Sequence, residues 1–250
     1  MEKDEFFLKR IRELANLSWQ RDIVTFSDFL NLNEQNIVSS LKHQFPQIVM
    51  ETSGGYENAE RQMFSFHPDA LAFTWEYPID CLRIEPKALK FSEELSHRDY
   101  LGALMNLGIE RELIGDIIIK DSDAYIFCIS HIADYICDNL DTIRHTHIHC
   151  SVCEEDVPAL KPELEDIRII AASPRIDAVV ASITKLSRSN SNELFSSKKI
   201  YVNGQCIENK SAHLKPDDIL VIRGTGKFIY VGDESETRKG RTYLTLKRYI

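Results

Sequence analysis

The side chains best suited to chemistry sit in the last third of the chain. Arg175-Ile176-Asp177, Ser187-Arg188-Ser189, Lys198-Lys199, Val202-Asn203-Gly204, Asp217-Asp218 and Arg223-Gly224 follow in order over about fifty residues. Arg175 and Arg188 can fork onto phosphate oxygens. The free amides at the start of a helix near Ser189 would add anion-binding capacity beside Lys198 and Lys199. Asp177, two residues from Arg175, is expected to orient a basic side chain. Lys227, Arg238, Lys239 and Arg241 form a second basic group that would extend the footprint. The chemistry on offer is a grip on an RNA backbone through Arg175, Ser187, Arg188, Ser189, Lys198, Lys199, Arg223, Lys227, Arg238, Lys239 and Arg241, with no catalytic residue. The competing reading is a solvated basic face laced with Arg–Asp pairs.

Other constellations carry less. His97-Arg98-Asp99 also occurs in kinase catalytic loops, but no Asn follows at the required spacing and the chain holds no Asp-Phe-Gly. Asp99 is expected to cap a helix, which leaves His97 and Arg98 as candidates for a second RNA or ribosome contact. His145, His147 and His149 alternate along a strand, with Cys150 and Cys153 beyond. Zinc would need a second ligand pair that is not obvious here, so no metal and no cofactor are expected. Cys81, Cys128, Cys137 and Cys206 read as small core residues. No nucleotide-binding loop, nucleophile elbow or metalloprotease helix is present, and Gly224-Thr225-Gly226 reads as a turn.

Composition supports this division. The 250 residues are 43% hydrophobic and 28% charged, enough for two or three real cores. Scattered cysteines, the absence of an apolar N-terminal segment and the lack of any bilayer-length apolar run point to a cytoplasmic chain without membrane contact. The net charge of −9 argues at first against nucleic acid, because polyanions repel acidic surfaces. The average hides a split. Residues 1–172 hold 16 Lys+Arg against 31 Asp+Glu, whereas residues 173–250 hold 14 against 8. Such asymmetry marks a nucleic-acid-binding end or a dock for an acidic protein.

The periodicity predicts three α+β domains, 1–78, 79–172 and 173–250. In the first, Phe6, Phe7, Ile11, Leu14 and Ala15 make a helix ending before Ser18, Phe26–Leu30 is an apolar link, and a second helix starts at a capping Asn33. Strands over 47–51 and 62–66 flank Gly54-Gly55. The second domain reads βαββαβ: strand 81–84, helix 100–107, strands 117–119 and 125–129, helix 132–140, strand 147–152. That is a ferredoxin-like, RRM-like order. Modules of that kind stack bases on aromatics of the two central strands, which here offer mainly Ile, Tyr125, Phe127 and Cys128, a weak aromatic platform. An acidic connection over 154–172 ends in a short strand around 167–171. In the third domain Ser173-Pro174 should cap a helix carrying Ile176, Val179, Val180 and Ile183. A short helix over 189–196, an Asn203-Gly204 hairpin and strands at 219–222, 228–231 and 242–246 follow.

The ordered motifs from Arg175 to Gly224 closely resemble the S4-type RNA-binding domain, in which two helices and a hairpin grip structured RNA. Two positions depart from that pattern: the family usually has Gly where Lys198 stands, and Gly-Asp where Asp217-Asp218 stands. Further motifs extend the resemblance along the chain. They are Thr25–Leu30, Gly54-Gly55-Tyr56-Glu57-Asn58-Ala59-Glu60-Arg61, the run Glu94–Leu104, Leu107-Gly108-Ile109, Ile114-Gly115-Asp116, Arg223–Phe228 and Thr237–Arg241. Together they resemble the bacterial YlmH proteins. That resemblance implies a monomeric, non-enzymatic, ribosome-associated protein encoded near cell-division genes. It would bind large-subunit rRNA and tRNA in the rescue of obstructed subunits carrying peptidyl-tRNA. The alternatives are an RNA-modifying enzyme such as a pseudouridine synthase with an accessory S4-type domain, or a scaffold for division proteins.

Overall fold

A computed structural model describes residues 2–57, 59–70, 74–153, 164–236 and 242–249. The fold is mixed α+β, in two compact units, 1–161 and 162–250. Among the described residues no helix is long and apolar enough to cross a membrane.

The first unit opens with α1 (Glu2–Arg21), β1 (Thr25–Leu30), α2 (Leu32–Ser40), β2 (Ile48–Ser53) and β3 (Gln62–Pro68), in a sheet of order β1-β3-β2. Helix α1 continues past the expected stop because Ser18 is fully buried on its core face. The stretch read as a link is instead strand β1. Its polar residues hide its pattern: Thr25 Oγ1 donates to Leu14 O, and Ser27 Oγ accepts the Phe64 amide. Asn31, not Asn33, caps α2, accepting from the Asn33 and Glu34 amides while Glu34 accepts the Asn31 amide.

Next come β4 (Ile79–Pro86), α3 (His97–Asn106), β5 (Ile114–Lys120), β6 (Asp123–Ile129), α4 (Ala133–Asn139), β7 (Thr142–Ile143) and β8 (Thr146–Val152). The sheet order is β5-β6-β4-β8-β7 with every ladder antiparallel, and the two helices pack on Leu82, Ile84, Ile126 and Ile148. Ser96 opens α3, and Asp99 accepts its amide and hydroxyl at 2.9 and 2.6 Å. Asp99 therefore acts from within the first turn, and these bonds hold its pKa below the usual carboxylate range.

The second unit contains β9 (Leu164–Ala171), α5 (Ile176–Thr184), α6 (Arg188–Ser196), β10 (Ile200–Val202), β11 (Gln205–Cys206), β12 (Ile219–Ile222), β13 (Gly226–Glu236) and β14 (Thr242–Tyr249). They build one sheet of order β11-β10-β12-β13-β14-β9. The sequence-based boundary at 172/173 falls inside this unit, because all eight residues of β9 pair with β14. Helices α5 and α6 bury Ile176, Val179, Val180 and Phe195 against Leu220, Phe228, Tyr230 and Leu246. Pro174 does not begin α5. The chain at 174–176 first runs extended beside 212–214, where Leu214 N donates to Pro174 O and Ile176 N to Ala212 O, so Arg175 is the N-cap.

Candidate nucleic-acid interface

The site grows from three turns of the second unit. Arg175, at the head of α5, donates through Nε and one terminal nitrogen to both oxygens of Asp177, at 3.1 and 2.8 Å. Asp177 thus orients a basic residue, as the spacing suggested, and its hydrogen bonds raise the Arg175 pKa further. The pair borders a cleft of about 320 Å³ that also takes in Ser173, Ser191 and Asn192 from the start of α5 and from α6. Ser187 caps α6 by accepting the Asn190 amide at 3.3 Å. Arg188 and Ser189 form the first turn of α6; their side chains lie outside the described residues.

At the other end of α6, Lys198 N donates to Phe195 O and Lys199 N to Leu194 O, at 3.0 and 2.9 Å. This closes the helix in a Schellman turn, whose penultimate position favours glycine because it needs positive φ. Lys198 occupies it at φ 53°. Its ammonium group lies 3.9 Å from Glu208, both side chains being largely exposed. The other departure behaves alike. Lys215-Pro216-Asp217-Asp218 turns with Asp218 N donating to Lys215 O, and Asp217 sits at φ 69°. Proline followed by a positive-φ residue is a type II arrangement that prefers glycine third. Asp218 locks the turn by accepting the Lys215 amide and the Asn203 side-chain amide. Asn203 and Gly204 supply the two positive φ values of the hairpin turn, 48° and 77°. Left-handed backbone costs a side-chain-bearing residue about 1 kcal/mol. Asp217→Gly should therefore raise the stability of this unit by about 1 kcal/mol in chemical denaturation, whereas loss of stability would show that the Asp217 side chain holds the loop.

Arg223 donates its backbone amide to Lys199 O, and its guanidinium lies 4.5 Å over the Tyr201 ring. Lys227 stands on β13 with its ammonium 4.2 Å over Tyr249. Sequence reading missed these tyrosines, and also Lys210, whose ammonium lies 5.9 Å over the buried Phe195 ring. Lys210 sits in a loop with no period to flag it. Arg238, Lys239 and Arg241 lie outside the described residues.

In the first unit, the middle sheet lacks a strong aromatic platform, as expected, because its Phe127 is covered. Phe127 is 1% exposed, stacked on Tyr56 at 4.8 Å and packed with Phe29 and Met63. The glycine-rich motif explains why. A Cβ on Gly55 would lie 2.5 Å from the Phe127 ring, and one on Gly115 would lie 2.8 Å from Phe29. Asp116 ties the layers together by accepting from Tyr56 OH and from the Glu60 and Arg61 amides. The Arg61 guanidinium donates to Ile114 O and Phe29 O. Arg111 lies close by, and burial, reinforced by Arg61, pushes its pKa down to about 10, still cationic at neutral pH. His97 is at the head of α3. It is exposed, as is Arg98, yet the atoms packed around its ring lower its pKa by partial desolvation first and by Arg111 second.

The histidine set is divided by the pleat. His147 and His149 point outward and exposed, while Cys150 faces the core with its sulfur 3.2 Å from Cys137. Burial pushes the Cys81 thiol up to about 12 and raises Cys128 and Cys150 further. Cys206 is exposed on the edge strand β11, against the core position expected for it, because a two-residue edge strand buries neither face. Among the described residues no group of three or more metal-ligating side chains gathers.

Residues 74–156 match the family described as "Putative RNA-binding domain in YlmH". The whole chain is 28% identical over 241 residues to "Ribosome-associated protein quality control protein P2" of Bacillus subtilis (strain 168), covering 93% of this chain and 92% of that protein. Over residues 74–156 the chain is similar to the YlmH proteins. A solved structure, "Cell division protein ylmH from Streptococcus pneumoniae", shares the fold at TM-score 0.52 and 20% identity, over 60% of this chain and 91% of that one. The YlmH-like match on 74–156 coincides with the antiparallel sheet whose central aromatic is buried. Any RNA contact by this segment must therefore use residues other than Phe127.

Proposed function

We propose that the chain is a non-enzymatic, ribosome-associated RNA-binding protein that docks on structured rRNA or tRNA through an S4-type face in residues 173–250. The arrangement of α5, α6 and the Asn203-Gly204 hairpin, together with the ordered motifs, supports the S4-type assignment. The similarity to a protein named for ribosome-associated quality control supports a place on the ribosome, and the large subunit is the part of it this reading assigns. In this reading, residues 1–78 and 79–172 orient the chain and make protein contacts.

One observation carries the reading furthest. Lys198, next to Lys199 in sequence, occupies a left-handed position that glycine would fill without strain, yet it carries a long, exposed cation 3.9 Å from Glu208. Strain accepted at this turn, at the position where the resembling family carries glycine, supports a use for the charge placed there. The same turn is tied to Arg223 through the Arg223–Lys199 backbone bond, so this reading takes Arg223 as a third cation of the site. Arg175 stands at the separate cleft formed with α6.

The test is sedimentation of tagged full-length protein from a cell lysate through a sucrose gradient. Wild type should migrate with the large subunit, and the Arg188→Glu and Lys198→Glu/Lys199→Glu variants should remain near the top. Wild type at the top would overturn the ribosomal assignment and bring back the enzyme and scaffold alternatives.

A further inference from the structure

The sheet of the second unit has a second face, turned away from α5 and α6. Alternation along the strands puts Leu220, Ile222, Phe228, Tyr230, Leu244 and Leu246 in the core, so their neighbours in sequence line the outer surface. One register row there reads Tyr201, Val221, Lys227 across β10, β12 and β13, and Tyr249 of β14 lies beneath the Lys227 ammonium. Arg223 lies over Tyr201 at 4.5 Å, Lys227 over Tyr249 at 4.2 Å, and Arg168, from β9, over Tyr243 at 4.6 Å. Lys247 adds a fourth cation, with Asp166 opposite it in register. Val231 and Ile170 are exposed on the same face, at 41% and 44%.

We propose that this outer sheet face is a second RNA surface, one that takes unpaired bases of single-stranded RNA. The proposal rests on the RNA-binding reading above and adds to it a second face, which shares Arg223 and Lys227 with the first site, and a substrate form. Tyrosines interleaved with cations on a sheet are what single strands require: the rings stack bases whatever their identity, and the cations follow the phosphates. Each guanidinium already lying on a ring is itself a flat stacking layer. Tyr201 and Tyr249 are three strand spacings apart, roughly 14 Å. Tyr243 and Tyr249, six residues apart on β14, are separated by roughly 20 Å. The platform therefore suits an extended strand. A duplex hides its base faces and offers such a sheet nothing to stack on. Among the described side chains of this face the four cations outnumber Asp166, which favours a polyanion over an apolar protein partner.

The test measures fluorescence anisotropy of a labelled twelve-nucleotide oligouridylate with full-length protein, alongside sedimentation with purified large subunits. Wild type should bind the oligonucleotide. Each of Tyr201→Ala, Tyr243→Ala and Tyr249→Ala should weaken it by about tenfold. The triple Tyr→Phe variant, which keeps the rings and the fold, should retain binding. Lys198→Glu/Lys199→Glu should lose the large subunit while keeping most oligouridylate affinity. No oligouridylate binding by wild type, alanine variants that bind as tightly as wild type, or a triple phenylalanine variant that loses binding would each overturn the proposal. If large-subunit binding survives such a result, only this surface falls; if wild type binds neither, the broader RNA-binding reading falls as well.

Discussion

Phe127→Ala is expected to unfold the first unit more readily rather than to release RNA. The ring is almost wholly buried between Tyr56, Phe29 and Met63, and removing such a ring leaves a cavity that costs about 3–5 kcal/mol. Both tryptophans, Trp19 and Trp75, lie in this unit, so tryptophan fluorescence during thermal unfolding reports it selectively. For a unit of this size the midpoint should fall by about 10 °C. A base-stacking platform behaves in the opposite way: the variant would melt as wild type does and bind RNA less well. That outcome would contradict the covered-platform geometry.

The second large effect is expected at the α6 turn. Reversing both charges in Lys198→Glu/Lys199→Glu should remove the two phosphate contacts proposed for these lysines. With charge-assisted hydrogen bonds at about 1.5 kcal/mol each, large-subunit affinity should drop about a hundredfold. The dependence of log affinity on log salt should flatten by about one unit per contact. Stability should hardly change, because the Lys198–Glu208 pair is exposed on both sides and such pairs contribute little. Lys198→Gly separates the two roles of the position. It should raise stability by about 1 kcal/mol, since glycine relaxes the left-handed turn, while still weakening RNA binding. Equal affinity for wild type and Lys198→Gly would reduce the lysine to a structural oddity.

How much of this was legible in the sequence depends on the range over which each feature is decided. Local chemistry was readable: Asn203-Gly204 can close only a tight hairpin, and the alternating periods between 79 and 152 gave the order of strands and helices that the sheet pairing follows. The pairing of Arg175 with Asp177 was visible at a spacing of two residues. What failed depended on distant partners. Strand β1 was missed because Thr25 and Ser27 are polar yet buried, their hydroxyls satisfied by Leu14 and Phe64. Pro174 misled because residues 212–214 hold it in an extended stretch. Asp116 meets its partners some 55 residues away, so the Gly54–Arg61 motif could be recognised without its purpose being visible. Phe127 looked like a weak platform because alternation does not say what covers a sheet face. The Tyr201–Arg223 and Tyr243–Arg168 pairs form only once the strands are in register.

The most direct test of the central claim is ultraviolet crosslinking of the full chain on ribosomes, with the RNA-linked peptides read by mass spectrometry. Crosslinked peptides should fall within residues 173–250 and include those around Arg188 and Lys198-Lys199. Crosslinks confined to residues 1–161, or linkage to protein alone, would contradict an RNA grip by the C-terminal unit.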